Sequence, residues 1–272
     1  MGPNGAGKST AIKIMSGILV PDSGECRVMG MIPWKSRRSY VGRIGVVFGQ
    51  RTQLWWDVPV QDSLDLLRDI YRIDEKAYRR SLEELAGLLE LGPLLASPLR
   101  QLSLGQRMRC EIAASLVHQP EVLFLDEPTI GLDAVSKLTV RRIIARLNRD
   151  RGLTVILTSH DMDDIEALTE RILLIGKGKL LYDGALGRLR ERYDPLRRLE
   201  ISFEAGEIPP EPPGTWLLSQ KESHAVWELD TRKISVSAAL RALGESLTVR
   251  DMSAGSRPVE EIIASLYQDH QD

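Results

Sequence analysis

The chain has 272 residues, of which 43% are apolar and 27% charged, and its formal net charge is −2. These values are ordinary for a globular protein of about two domains, and they exclude the strongly basic composition that favours nucleic acid or anionic lipid. Cys26 and Cys110 are too far apart in sequence for a metal or redox motif, so we expect two buried thiols in a reducing compartment. No apolar run reaches the roughly 20 residues that cross a bilayer, so we expect that any function at a membrane would require a partner protein.

The sequence opens with a glycine-rich loop followed by an apolar helix pattern that extends to Ile18. Gly2, four further residues and then Gly7-Lys8-Ser9 match a phosphate-binding loop, in which glycines let successive N–H groups point at a phosphate. We expect Lys8 to neutralise phosphate oxygens and the Ser9 hydroxyl to ligate Mg²⁺. The residues predicted to bind nucleotide here are Gly2, Asn4, Gly5, Ala6, Gly7, Lys8, Ser9 and Thr10.

The next part of the chain predicts one strand and then helices only. Residues 40–48 (YVGRIGVVF) are apolar, rich in β-branched residues and bounded by glycine, which is typical of a strand. Residues 54–118 carry helical patterns and predict an inserted helical subdomain. Within it, Ser103 and Gln106 form a capping box that opens an apolar helix. A capping box needs no further function, although a serine hydroxyl and Gly105 at a helix N-terminus also suit an anion.

Two short apolar runs, residues 122–125 and 154–159, are typical of strands buried on both faces. The first ends in Asp126 and Glu127, and the second ends at His160. Together with the phosphate loop, this places Asp126 to hold the Mg²⁺ shell and Glu127 to act as a general base on water. The helix between the runs has an apolar stripe of Val140, Ile143, Ile144 and Leu147. Strands alternating with helices predict an α/β fold with a mainly parallel sheet.

The character of the chain changes near residue 193. Before it, residues 171–182 predict two strands around a Gly-Lys-Gly-Lys turn. Beyond it, the strand candidates are residues 198–204, 215–219, 225–230 and 247–250, and the helix candidates are residues 235–243 and 258–267. We therefore predict a nucleotide-binding domain over residues 1–192 and a small α+β accessory domain over residues 193–272.

Six motifs follow one another along the first domain: GPNGAGKST, a glutamine after a strand, LSLGQ, EVLFLDEP, GLD and TSH. In this order they resemble the ATP-binding subunit of ATP-binding-cassette (ABC) transporters, over roughly residues 2–190. The resemblance implies a P-loop NTPase fold with ATP and Mg²⁺ as cofactors. It also implies ATP hydrolysis coupled to transport through a separate integral-membrane permease.

The resemblance implies a role for the residues that surround the phosphate loop. Gln50 looks like the glutamine that senses Mg²⁺ and the attacking water and that links to the permease, so it is both a metal and a catalytic candidate. Ser9 and Asp126 complete the predicted metal set. Glu127 looks like the catalytic base, and His160 looks like the switch histidine that contacts the γ-phosphate. A histidine that merely follows a strand is the alternative for the last residue.

Other motif residues resemble the family's dimer contacts. Ser103, Gly105 and Gln106 look like the signature, which contacts a nucleotide bound to the opposite subunit. Asp133 looks like the aspartate at the dimer interface. Leu104 departs from the pattern, because the family has a second glycine there. Leucine excludes the close approach or unusual φ that glycine allows, so we expect the signature to tolerate such conformations less well rather than to lose its function. The partners implied are a second ATP-binding subunit, as a homodimer in the simplest case, and the permease, with no nucleic acid.

The family's N-terminal strands, one of which carries an aromatic residue that stacks on adenine, are missing from this sequence. We expect that the sequence begins late, at an internal methionine of a longer protein. The alternatives are a truncated, catalytically impaired subunit with weak ATP binding and a fragment that only binds partners.

The segment FGQRTQLWWDVPVQDSLDLL, with the C-terminal unit, resembles the type-2 exporter branch of drug-resistance and viologen-export-like systems. This implies a place on the cytoplasmic face of the cell membrane, peripheral through the permease. Trp55 or Trp56 is predicted to line the permease groove, with core packing as the alternative. A non-transport cassette ATPase acting on ribosomes or DNA is a rival, but a single cassette without a heptad run or basic character disfavours it.

Overall fold

The computed structural model describes residues 1–3, 5–49, 51–193, 196–256, 261–263 and 266–267, with the backbone alone at 190–193. Two compact units are present, one of residues 1–169 and 173–182 and the other of residues 170–172 and 183–272. The predicted domain boundary after residue 192 remains a prediction. Two predicted site residues, Asn4 and Gln50, lie outside the described residues, as does most of the helix predicted at 258–267.

Three parallel strands form the sheet of the first unit, in the order β1 (Ile44–Phe48), β2 (Val122–Asp126) and β3 (Thr154–Thr158). Their register aligns Phe48 with Asp126 and Asp126 with Thr158. The central strand β2 is buried along its apolar length, as the sequence predicts. Because the strands are parallel and in register, the loops that follow them leave the same edge of the sheet, where α/β proteins bind ligands.

The helices of the first unit pack on this sheet or on one another. They are α1 (Lys8–Met15), α2 (Arg37–Val41), α3 (Val60–Tyr71), α4 (Glu75–Leu89), a 3₁₀ turn (Leu99–Gln101), α5 (Leu104–Leu116), α6 (Ala134–Arg151) and α7 (Met162–Leu168). The predicted stripe of α6 is buried in the largest apolar cluster, together with residues from α3, α4 and α5. Among the described residues, no helix combines the length and apolarity that spanning a membrane requires.

The strand predicted at residues 40–48 is too long. Residues 37–41 form α2, and β1 begins only at Ile44. Tyr40 belongs to the helix because its ring is buried beside α1 and its hydroxyl donates to the Met15 carbonyl. An apolar run does not by itself distinguish a strand from a buried helical turn.

Three smaller expectations are also corrected. The α1 pattern ends before Ile18, which is exposed, because Gly17 adopts a φ of +73° that terminates the helix. Strand β3 is half-buried rather than buried, since in the described sheet it has a neighbour on one side only. Cys26 is partly exposed, whereas Cys110 is buried as predicted.

The remaining strands are antiparallel. A hairpin of β4 (Arg171–Gly176) and β5 (Lys179–Ala185) follows α7, as predicted, and turns through Lys177 and Gly178, both with positive φ. After α8 (Leu186–Tyr193), the second unit contains β6 (Leu196–Phe203), β7 (Thr215–Lys221), β8 (His224–Asp230), α9 (Val236–Gly244) and β9 (Val249–Ser256). Its sheet has the order β7-β8-β6-β9 and buries Trp227 at its core, where the indole N–H donates to the Pro210 carbonyl over 2.8 Å.

Candidate active site

The glycines of the N-terminal loop make its conformation possible. Gly5 and Gly7 have φ values of +81° and +103°, which side chains rarely adopt. A Cβ on Gly2 would lie 2.3 Å from the backbone oxygen of Ile175 in β4, so only glycine fits there. The loop therefore curls tightly and delivers the chain into α1, whose first residue is Lys8. Successive N–H groups in such a turn, together with the helix N-terminus, favour an anion.

Lys8 places its charge at the centre of this loop. The side chain is 7% exposed, and its Nζ donates to the carbonyls of Gly2 over 2.7 Å and of Pro3 over 3.1 Å. A buried ammonium is stable only where acceptors replace water, and the loop carbonyls supply them. The lysine is thus held where the loop's N–H groups would receive a phosphate.

Two hard oxygen donors meet beside the loop. Ser9 Oγ donates to Asp126 Oδ1 over 3.0 Å, and Thr158 Oγ1 donates to the same oxygen over 2.6 Å. A hydroxyl and one carboxylate, completed by phosphate oxygens and waters, are the donor set that Mg²⁺ takes in nucleotide sites. The residues present therefore fit a magnesium ion bound with a nucleotide.

Glu127 and His160 form a pair at the same edge of the sheet. Glu127 Oε2 and His160 Nδ1 are 2.5 Å apart. The Glu127 backbone has a φ of +56°, and its N–H donates to the Thr158 carbonyl over 3.1 Å. Gly49, which follows β1, passes so close that a Cβ there would lie 2.1 Å from the Glu127 carbonyl oxygen. The Glu127 backbone is therefore fixed by the strands on both sides of β2.

A cleft of about 650 Å³ lies between the phosphate loop and the Glu127–His160 pair. The phosphate-loop residues line one side of it, including Thr10 on α1, and Glu127, Ile130 and His160 line the other. Ala6 is buried beneath the loop, with its N–H donating to the Pro3 carbonyl over 3.2 Å. The arrangement offers an anion cradle, a metal-binding pair and a carboxylate with a histidine partner in one space.

The predicted signature residues and Asp133 lie elsewhere, where α5 and α6 begin. Ser103 and Gln106 form the predicted capping box, with bonds of 3.3 and 2.8 Å. A Cβ on Gly105 would lie 2.3 Å from Ser136 Oγ, so the two helix starts touch there. Asp133 caps α6 by accepting from the Ser136 hydroxyl and N–H, and these bonds hold the pKa of Asp133 below its usual value. This cluster does not line the cleft.

Leu104 occupies the first position of α5 and has 41% of its surface exposed. Its backbone is helical, so this position places no demand for the conformational freedom of glycine. The side chain points towards Gly131, where a Cβ would lie 3.3 Å from Leu104 Cδ2. The expected effect of Leu104 on the conformations that the signature tolerates remains a prediction.

The segment after position 50 presents two exposed indoles. Trp55 and Trp56 have 58% and 46% of their surfaces exposed, so the alternative that they pack into the core is wrong. The Arg107 guanidinium carbon lies 4.4 Å from the centre of the Trp56 ring and partly covers it.

Sequence reasoning missed several residues that position the site. Thr158 donates to Asp126 and receives the Glu127 N–H, and its place beside Ser159 and His160 in TSH was the available signal. Buried Asp164 on α7 accepts from Ser159 and from Arg141 of α6. No motif marks that ion pair, because its partners are 23 residues apart.

Known proteins resemble this chain along most of its length. A family profile described as ABC transporter matches residues 1–130. The ABC transporter ATP-binding protein NatA of Bacillus subtilis (strain 168) is 31% identical to this chain, and the alignment covers 70% of this chain and 77% of NatA. The daunorubicin/doxorubicin resistance ATP-binding protein DrrA of Streptomyces peucetius is 32% identical, and the alignment covers 98% of this chain and 82% of DrrA. The bacitracin transport ATP-binding protein BcrA of Bacillus licheniformis is 32% identical, and the alignment covers 65% of it.

Solved structures agree with these relatives. The cbiO1 protein of Clostridium perfringens, described as part of the ABC transporter complex cbiONQ, has a TM-score of 0.64 at 28% identity, over 71% of this chain and 78% of its own. The ATP-binding cassette MJ0796, in a dimeric post-hydrolysis state bound to ADP and Pi, has a TM-score of 0.60 at 27% identity, over 68% of this chain and 83% of its own. The predicted P-loop α/β fold and the resemblance to drug-resistance ATP-binding proteins are confirmed. The chain belongs to the ABC transporter family, as an ATP-binding subunit of the ATPase class.

Proposed function

We propose that this chain hydrolyses Mg²⁺-ATP to drive export through a separate membrane-spanning permease. The observation that carries the proposal is one cleft lined by Lys8, by Ser9 and by the Glu127–His160 pair, with Asp126 bonded to Ser9 at its edge. A relative named for daunorubicin/doxorubicin resistance supports export as the direction, and one named for bacitracin transport supports a transport role.

Each group has a distinct task in this proposal. The loop N–H groups and Lys8 bind the phosphates, and Ser9 with Asp126 hold Mg²⁺, which when bound neutralises charge on the phosphate oxygens. Glu127 accepts a proton from the attacking water as general base. His160, 2.5 Å from Glu127 Oε2, orients that carboxylate and lies on the wall of the cleft where it can contact the terminal phosphate. Gln50 is assigned to the water and the metal by resemblance alone.

The second cluster supports a dimer. Ser103, Gly105, Gln106 and Asp133 lie outside the cleft of their own chain, so we propose that they contact nucleotide bound to a second copy. The exposed Trp55 and Trp56 are proposed to face the permease, which would hold the chain at the cytoplasmic face of the membrane. Large aromatic side chains near an arginine are typical anchors of protein interfaces.

The test of hydrolysis is Glu127→Gln. General bases contribute about 10²–10⁴-fold, so we expect turnover to fall by at least about 100-fold while ATP binding and ATP-dependent dimerisation persist. Glu121→Gln is the matched control, because Glu121 immediately precedes β2, as Glu127 follows it, and pairs with Arg43 at the surface. A Glu127→Gln variant with full turnover would reject Glu127 as the base.

The test of partnership is affinity purification of the chain from membranes of its native cells. A multi-spanning protein that co-purifies, and that stimulates ATP turnover when reconstituted, is the expected result. Co-purification with ribosomes instead would favour a non-transport cassette ATPase. Absence of turnover both alone and with the permease would leave an impaired nucleotide-binding subunit.

A further inference from the structure

Glu111 is a buried carboxylate on α5 that the proposed reaction does not use. The residue is 5% exposed, and its carboxylate accepts from the Thr52 hydroxyl and, over 3.3 Å, from the Gln53 backbone N–H. The Glu111 carbonyl also accepts from the Gln53 side-chain amide over 3.3 Å. Thr52 Oγ1 in turn accepts the N–H of Leu54 over 3.1 Å. These bonds attach residues 52–54 to the middle of α5.

The attached segment begins two residues after position 50. On the other side of that position, the Gly49 N–H donates to the Asp126 carbonyl over 2.8 Å, and the Arg51 N–H donates to the Phe48 carbonyl over 2.9 Å. The chain is therefore fixed to the central strand just before position 50 and to α5 just after it. Because α5 begins next to Ser103, a displacement of this helix would be transmitted to the segment that leaves position 50.

Burying a carboxylate here costs stability that an apolar side chain would not cost. Burial raises the pKa of Glu111, and the hydrogen bonds from Thr52 and Gln53 only oppose that rise. Its neighbours on α5, Cys110 and Ile112, are buried without any charge. The stability of the helix therefore does not explain a carboxylate at this position. The hydrogen bonds that the carboxylate accepts from the Thr52 hydroxyl and the Gln53 N–H do explain it.

We propose that Glu111 is a positioning residue that couples the signature helix α5 to the loop carrying position 50. The proposal rests on the proposed ATPase function for its kinetic consequence. Its structural consequence, the attachment of residues 52–54, is separately measurable.

The experiment compares Glu111→Leu, Glu111→Gln and Ser115→Ala in the full chain. Leucine fills the volume but removes both acceptors. Glutamine keeps one acceptor for the Gln53 N–H and can donate to Thr52 Oγ1, so it should rescue. Ser115 is the matched control, since it is buried one turn further along α5 and donates only to Ile112 of its own helix, over 2.8 Å.

Three readouts separate positioning from folding. For Glu111→Leu we expect amide exchange in residues 51–54 to be at least about 10-fold faster. We expect its kcat to fall about 10- to 100-fold, as for other residues that orient a reacting group, with KM for Mg²⁺-ATP nearly unchanged because the phosphate loop is untouched. We expect its melting temperature to stay the same or rise, because a buried charge is removed and the donors left behind belong to Thr52 and Gln53, which are exposed to water. Glu111→Gln and Ser115→Ala should stay close to the unchanged chain in all three.

Three other outcomes would contradict the coupling or the proposed function. Unchanged exchange at residues 51–54 in Glu111→Leu would overturn the coupling, whatever the activity. A loss of kcat accompanied by a lowered melting temperature and faster exchange throughout the chain would reduce Glu111 to a structural residue. If the unchanged chain hydrolyses no ATP even with its permease, the proposed function fails, and the exchange measurement still decides the coupling.

Discussion

Removing the carboxylate of Asp164 should destabilise the first unit and release the loop that carries His160. Asp164 is fully buried on α7 and accepts from Arg141 Nε over 2.5 Å, from Ser159 Oγ over 2.9 Å and from the Thr129 hydroxyl. Thr129 follows the Glu127 turn, and Ser159 immediately precedes the histidine. One carboxylate thus ties together the chain after β2, the chain after β3 and helix α6.

The cost follows from the groups left behind. Removing one partner of a buried ion pair typically costs about 3–5 kcal/mol, because the other charge loses its counter-ion. Arg141 keeps Asp161 as a counter-ion at 3.1 Å, and the Arg141 side chain is 12% exposed. We therefore expect the lower end, about 3 kcal/mol, for Asp164→Ala. For a unit of this size that corresponds to a fall of about 6–12 °C in melting temperature.

The assay is thermal and urea unfolding of the full chain, with ATP turnover measured on the same samples. Asp163→Ala is the matched control, because Asp163 is next in sequence and also faces Arg141, at 3.7 Å, but its side chain is 81% exposed. Exposed pairs contribute about 0–1 kcal/mol, so this variant should be nearly unchanged. Equal losses in the two variants, or a loss below about 1 kcal/mol in Asp164→Ala, would refute the reasoning.

Three further predictions concern the glycine beside the site and the buried titratable groups. Gly49→Ala should abolish turnover but leave ATP binding, because its Cβ would lie 2.1 Å from the Glu127 carbonyl oxygen; a fully active variant would contradict that close approach. Burial raises the pKa of Cys110 to about 12, so a maleimide at pH 8 should label Cys26 first and Cys110 only on unfolding, as read by intact mass. Burial raises the pKa of Glu111 in the folded chain above its usual value of 4.5. The stability that the protonated side chain contributes is therefore fully present below pH 4.5, and it is lost as the pH rises through the raised pKa. The stability of Glu111→Leu relative to the unchanged chain should therefore increase from pH 4 to pH 7, and a flat difference would contradict the burial of the charge.

The residues at the cleft could be predicted because their signals are local in sequence. Lys8 follows a glycine turn at the start of a helix, and Asp126 and Glu127 end a continuous apolar run. Parallel strands in register then bring these ends to one edge, so spacing along the chain becomes proximity in space. His160 ends the next run, and the structure places its Nδ1 2.5 Å from Glu127 Oε2; its contact with the γ-phosphate stays a prediction from the resemblance.

The supporting contacts could not be predicted, because they join residues whose separation follows no period. Thr158 lies inside the run predicted as a strand at residues 154–159, and only the pairing of β2 with β3 brings its hydroxyl to Asp126. Tyr40 looked like part of a strand, and only the packing of α2 beside α1 buries it. In both cases tertiary contacts rather than local pattern decide the conformation and the partner.

Three carboxylates in this unit illustrate why residue type alone does not assign a role. Asp126 receives two hydroxyls beside the phosphate loop, so its remaining oxygen is available to a metal. Asp164 receives a guanidinium and two hydroxyls, and it serves as a fixed anchor. Glu111 receives a hydroxyl and a backbone N–H from a segment distant in sequence, and its charge is balanced by hydrogen bonds rather than by a formed ion pair. Its removal therefore need not cost global stability, which is why a local exchange measurement, read beside the melting temperature, decides what Glu111 does.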